Sequence, residues 1–155
     1  LSNPFLLTID ELCHQHQIPF YLYGKTKLEF KYSFYKGAVD PDVLPDVIDG
    51  NYGLIWNYTQ QDPSETDCYE LLNNPHKLSM YIVAGLPVIT WRKSAAGRFI
   101  DQEGIGITVN RFDEIFDKIK QTPPQQYDEM VDNCLLLRRQ FVNGEFIKKA
   151  LSQIE

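Results

Sequence analysis

Residues 73–94 read NNPHKLSMYIVAGLPVITWRKS. The apolar spacing predicts a helix from Pro75, with Asn74 as N-cap, Pro75 at the first helical position and Gly85 just past the last turn. His76 and Lys77 then fall in the first turn, beside backbone N–H groups that have no partner within the helix. The helix dipole disfavours a cation there by about 0.3–1 kcal/mol. A phosphate or diphosphate would reverse that balance, because it accepts from the free N–H groups and pairs with the lysine. The penalty is small enough that ordinary first turns also carry lysines. A surface histidine, or one bonded to backbone, would look the same as His76. Residue type alone leaves both readings open.

Other chemistry is easier to exclude. The sequence has no GxGxxG, Walker A, HExxH or GxSxG run and no usable Ser-His-Asp order. Cys13, Cys68 and Cys134 are widely spaced, without a CxxC pair or a zinc pattern, and read as free thiols of a reducing compartment. Asp40 with Asp42, and Asp113 with Glu114, read as solvated faces and caps. Met80, Tyr81 and Val83 read as packing residues. The formal charge of −6, from 21 acidic and 15 basic residues, argues against a general nucleic-acid or membrane-surface binder. It leaves room for a small cationic site. No cleavable signal or long apolar span is visible. A chain of 155 residues, 43% hydrophobic, suits one core. Because it begins with leucine, it is expected to start inside a longer protein.

The elements that must position Lys77 alternate in type. Helices are predicted over residues 6–16, with Thr8 as cap and Glu11 completing a capping box, and over a short acidic stretch within 40–50. Further helices are predicted from 75, from 94 with Ser94 as cap, over 111–120 with Asn110 as cap, over 125–141, and beyond Asn143 as cap. Strands are predicted at 19–24, in part of 27–37 where apolar side chains recur at 28, 30, 32 and 34, and at 52–57, 86–91 and 104–110. Residues 58–74 read as a long loop of the kind that is functional or disordered. This alternation means an α/β domain, a mainly parallel sheet with helices on both faces. Ligands of such sheets sit at the carboxyl ends of the strands.

The runs GLIW at 53–56, NPHKLSMYIVAGLPVITW at 74–91, KSAAGRFI at 93–100 and GIGITV at 104–109 resemble one family closely. It is the C-terminal, donor-binding domain of bacterial galactofuranosyltransferases and glucosyltransferases of surface-glycan synthesis. YLYG upstream and GEFIKKAL downstream extend the similarity over most of the chain. The resemblance implies one Rossmann-like half of a GT-B fold, spanning 1–155 and lacking an N-terminal acceptor domain. It implies a hexosyltransferase that moves galactofuranose or glucose from a UDP-sugar to a glycan acceptor, with the isolated chain inactive. It implies no metal and no cofactor, since basic side chains and helix N-termini neutralise the diphosphate. By this likeness Lys77 is the first diphosphate ligand, flanked by Asn74, His76 and Ser79, with Ser94 and Ala95 at the next helix start. Tyr23 and Tyr58 are expected to flank the uracil. No general base is recognisable in this chain; a GT-B enzyme takes it from the other half.

The resemblance further implies a cytoplasmic enzyme at the inner face of the membrane, with self-association and peripheral membrane contact of the whole protein. Relatives often read WDG where this chain has Trp56-Asn57-Tyr58, and SAIA where it has Ser94 to Gly97, so the sugar identity stays open. A nucleotide-sugar-binding module without catalysis, or a protein-interaction module on the same scaffold, are the alternatives.

Overall fold

The computed structural model describes residues 3–57, 71–72, 75–145, 148 and 151–152. Its elements are α1 (Phe5–Gln15), β1 (Tyr21–Tyr23), β2 (Phe34–Gly37), α2 (Leu44–Val47) and β3 (Gly53–Ile55), followed by α3 (His76–Ala84), β4 (Val88–Trp91), α4 (Ala95–Glu103), β5 (Gly106–Val109), α5 (Glu114–Gln121) and α6 (Pro124–Val142). Every ladder is parallel. The strands form two sheets among the described residues, β1–β2 and β3–β4–β5. This is the expected α/β architecture, a Rossmann-like half of a GT-B fold.

Strand β4 is central and buried along its whole length, as an apolar run between two parallel neighbours should be. Alternation along the strands sends side chains to two cores. Trp56, Ile89, Trp91, Ile107 and Val109 meet α1 and α5 through Phe5, Ile9, Phe112 and Phe116. Ile55 and Val88 meet α3, α4 and α6 through Leu78, Ile82, Ile100, Cys134 and Leu137. Two layers of helices therefore clamp one short sheet and fix where its carboxyl edge lies.

Helix starts differ from the sequence expectation in instructive ways. Thr8 lies inside α1, whose first N–H, that of Phe5, donates to Asn3 Oδ1 at 3.0 Å. Pro75 occupies the N-cap position of α3 with an extended backbone (ψ 142°), one residue later than expected for the cap, and Asn74 lies outside the described residues. Asn110 does not cap α5. Its N–H donates to the Glu114 carboxylate at 3.0 Å, and the helix begins at Glu114. Asn143 closes α6, its N–H donating to Arg139 O at 3.1 Å, while Phe146 and Ile147, in the helix its side chain is expected to cap, lie outside the described residues.

The period-two stretch before β2 becomes strand only at residues 34–37; residues 24–33 run as an irregular strap from β1 to β2. Buried Asp10 on α1 explains the difference. Its carboxylate accepts from Lys31 N at 2.8 Å, from Tyr32 N at 3.3 Å and from the Ser33 hydroxyl. Those donors are the groups a sheet ladder would have used. The Tyr32 ring then stacks on His14, with centroids 3.7 Å apart.

Gly97 reads as a helix-weakening residue, yet a Cβ there would strike the carbonyl oxygens of Trp91 and Arg92. Its absence lets the first turn of α4 fold down against the end of β4.

Candidate functional site

Chain order dictates where the anion-binding groups meet. In a parallel β–α–β succession each helix runs back against its strands, so the N-termini of α3, α4 and α5 lie at the carboxyl ends of β3, β4 and β5. Leu78 and Ile82, 2% and 0% exposed, seat α3 on the sheet. Their spacing turns His76, Lys77 and Ser79 outward, and all three are exposed. Gly85 ends the helix in the left-handed conformation (φ 73°), and its N–H closes onto Ile82 O.

Lys77 has no ion-pair or hydrogen-bond partner among the described residues. The N–H groups of His76 and Lys77 likewise donate to no protein oxygen among them, whereas Leu78 N donates to Pro75 O at 2.9 Å. The start of α3 therefore holds together a cation and two donors that are free among the described residues, against the helix dipole.

The start of α4 is a second donor set. Ser94 is 3% exposed and commits its groups locally. Its Oγ accepts from Gly97 N at 2.9 Å and donates to Trp91 O at 2.7 Å, and its N–H donates to Trp91 O at 3.2 Å. Ser94 thus shapes the turn, and the N–H groups of Ala95 and Ala96 are the ones left without a protein acceptor among the described residues. Arg98, one turn on, donates to Lys93 O at 2.8 Å and to Leu71 O at 2.7 Å, tying α4 to the chain entering α3.

A cleft of about 820 Å³ opens beside Lys77, within the range of small-ligand sites. Tyr21, Tyr23, Trp56, Met80 and Tyr81 give it a largely aromatic and apolar wall. Tyr81 lies flat against β3 because Gly53 has no Cβ to obstruct its ring, and its hydroxyl donates to Leu54 O at 3.3 Å. Burial pushes the Tyr81 phenol up to about 12, so it acts as a neutral donor.

Tyr23 ends β1 on the same cleft. Its hydroxyl donates to the Asp49 carboxylate at 2.9 Å and accepts from Asp49 N at 2.8 Å, and Lys36 pairs with that carboxylate at 3.0 Å. Burial raises the Tyr23 phenol, and Asp49 adds to the rise through its charge. The Lys36 ammonium and the Tyr23 hydroxyl hold Asp49 below its usual range.

The structure thus gathers Tyr23, Lys77 and the start of α3 around one cleft and places Ala95 at a neighbouring helix start. Tyr58 and Asn74 lie outside the described residues. Sequence reasoning missed Asp49, which reads as part of a solvated acidic stretch, and Arg98, whose contacts cross the long loop. Neither signals its long-range bond locally, since Tyr23 and Leu71 are 26 and 27 residues away. Among the described residues no group of three or more His, Cys, Asp or Glu side chains could hold a metal ion.

Comparison with known proteins agrees with this geometry. Residues 7–154 match the family described as glucosyltransferase 3-like, C-terminal domain. The chain is 28% identical to a glucosyltransferase 3 of Streptococcus gordonii over 72% of its length and 33% of that protein. A glucosyltransferase 3 of Streptococcus parasanguinis is 26% identical over 90% of the chain and 41% of that protein. A β-1,6-galactofuranosyltransferase of Escherichia coli K12 is 29% identical over 66% of the chain and 32% of that protein. The chain thus spans roughly a third to two fifths of the length of these relatives. With the match running almost from end to end, the chain belongs to the glucosyltransferase 3-like C-terminal domain family.

Proposed function

We propose that this chain is the donor-binding half of a glycosyltransferase that moves a hexose, glucose or galactofuranose, from a UDP-sugar to a glycan acceptor. The observation that carries the reading is Lys77. It is a cation without a carboxylate partner among the described residues, set beside two free N–H groups at the mouth of an aromatic cleft. An anion is the ligand that satisfies all three groups at once.

The chemistry of glycosyl transfer calls for such a site. Breaking the bond from the anomeric carbon to the diphosphate leaves negative charge on the departing UDP. Donors aimed at that charge lower the barrier because it is larger in the transition state than in the bound donor. Lys77 and the His76 and Lys77 N–H groups are assigned to one phosphate, and the Ala95 and Ala96 N–H groups to the other or to a sugar oxygen. Asn74, His76 and Ser79 flank the first phosphate; Ser94 holds the second turn in shape. Tyr23 and Tyr58 are assigned to the uracil.

No base that would take the acceptor proton is assigned here. It is proposed to lie in a part of the whole protein outside these 155 residues. The names of the relatives, a glucosyltransferase and a galactofuranosyltransferase, support a hexose donor without choosing between the two. The proposed setting is the cytoplasmic face of the membrane, where UDP-sugars are made available to glycan assembly.

Calorimetric titration with UDP in the presence of EDTA tests the reading. Saturable binding, with GDP weaker, supports it. Equal binding of UDP and GDP, or binding lost with EDTA, would overturn it. If no uridine nucleotide bound at all, the scaffold would be a protein-interaction module instead.

A further inference from the structure

A diphosphate is a demanding ligand. Its two phosphates share one oxygen, so the groups that hold them must stand at one fixed separation. The two donor sets assigned above belong to different helices, α3 and α4, which pack into the same core through Leu78, Ile82 and Ile100. They are not built alike. The start of α4 is held from within: Ser94 caps it by accepting from Gly97 N at 2.9 Å, and Gly97 lets the turn close on the Trp91 and Arg92 carbonyls. The start of α3 has no side-chain cap among the described residues, since Pro75 stands at that position. Leu78 and Ile82 seat the helix only behind the residues that carry its donors. An uncapped first turn is where a helix opens most easily.

Arg98 supplies a hold from outside. Helical side chains lean toward the N-terminus of their helix, and Arg98 reaches back over its own first turn. Its Nη1 donates at 2.8 Å to Lys93 O, the last carbonyl before Ser94, and its Nη2 donates at 2.7 Å to Leu71 O. Leu71 stands four residues before Pro75, a tether of at most about 14 Å. One planar fork therefore joins the chain that enters α3 to the chain that enters α4. Both bonds are charge-assisted, and both use the rigid guanidinium geometry that a lysine ammonium lacks. No carboxylate among the described residues pairs with Arg98. The side chain is exposed, so the fork adds little to the fold as a whole.

We propose that Arg98 is a positioning residue for the diphosphate: its fork fixes the separation of the α3 and α4 donor sets, so that the chain prefers a nucleoside diphosphate to the monophosphate. The inference rests on the donor reading above and deepens it. Arg98 is given no contact with the ligand; it acts through the two helix starts. A diphosphate engages both sets and is sensitive to their spacing. A monophosphate engages one set and is indifferent to it. With the spacing set in advance, binding does not have to order the first turn of α3, and that cost is removed from the affinity.

Calorimetric titration of the full chain with UDP and with UMP tests this on wild type, Arg98→Lys and Arg98→Met. Both variants should lose UDP affinity by roughly tenfold, the size of one charge-assisted hydrogen bond, and keep UMP affinity within about twofold. Their melting should match the wild type, as exposed substitutions usually do. Arg98→Lys keeps the charge, so it separates the fork from plain attraction of an anion. Placed in the Lys77→Met background, Arg98→Lys should cost UDP much less than it does alone, because the α3 set no longer grips its phosphate. Wild-type UDP affinity in Arg98→Lys, an equal loss of UDP and UMP, or a parallel loss of thermal stability in both variants would overturn the proposal. Any of these, with UDP binding still sensitive to Lys77→Met, would leave the donor reading standing. A wild-type chain that binds no UDP would overturn both.

Discussion

Lys77 sits where its own helix repels it, and the repulsion is informative because no described residue relieves it. The sheet-facing Leu78 and Ile82 fix the helix, so Lys77 cannot turn away without unseating them. Replacing it with methionine keeps the apolar stem and removes the charge. Lys77→Met should weaken UDP binding by about 1.5–3 kcal/mol, the range of a charge-assisted hydrogen bond. Its thermal stability should stay level or rise slightly, since a first-turn cation is unfavourable in the empty state. Ser94 predicts the reverse pattern. Ser94→Ala removes the acceptor of Gly97 N and should cost about 1 kcal/mol of folding stability, read by urea denaturation. Lys77 was legible in the sequence because Asn-Pro punctuation announces a helix start. The linkage of Tyr23, Asp49 and Lys36 was not, because it joins β1, β2 and the turn before β3.

At the scale of elements, two close approaches govern the site. Gly97 lets α4 meet the end of β4, and an added methyl would strike the Trp91 and Arg92 carbonyls. Gly97→Ala should destabilise the chain by roughly 1–3 kcal/mol, as overpacking does. It should also weaken UDP binding, because the Ala95 and Ala96 donors move with the turn. Asp10 anchors the strap in the same manner from α1. Burial pushes its carboxyl up, but the Ser33 hydroxyl and the N–H groups of Lys31 and Tyr32 outweigh that and bring it below the ordinary value of 3.8.

A carboxyl depressed in the folded state adds stability above its unfolded pKa and loses it as pH falls through the folded value. The chain should therefore become easier to denature in urea as pH drops below 3.8, and Asp10→Asn should flatten that part of the profile. Elements with strong period were readable in advance, including β4 and the apolar face of α5. Their ends were less so. Thr8 and Asn110 are good capping types, but Asn3 and Glu114 provide the bonding partners at those ends. The strap escaped reading altogether, since its backbone donors are claimed by a carboxylate 21 to 23 residues earlier.

At the scale of the molecule, three helices deliver their N-termini to one edge of a parallel sheet, and the cleft beside that edge is walled by aromatics. The arrangement suits gripping a nucleoside diphosphate. In the proposed reaction it holds the leaving group, and no residue is assigned to the acceptor side. The chain alone should accordingly bind UDP-glucose or UDP-galactofuranose and transfer neither sugar to a glycan. Turnover by the purified chain at the rate of a full-length relative would contradict that division of labour.

The most direct test is a pair of titrations, UDP and uridine, each on wild type and Lys77→Met in EDTA. If the start of α3 holds a diphosphate, the variant loses UDP affinity by about 1.5–3 kcal/mol and binds uridine as before. UDP binding within about 0.3 kcal/mol of wild type, far below that charge-assisted range, or an equal loss for both ligands, would make Lys77 an ordinary surface lysine and contradict the account.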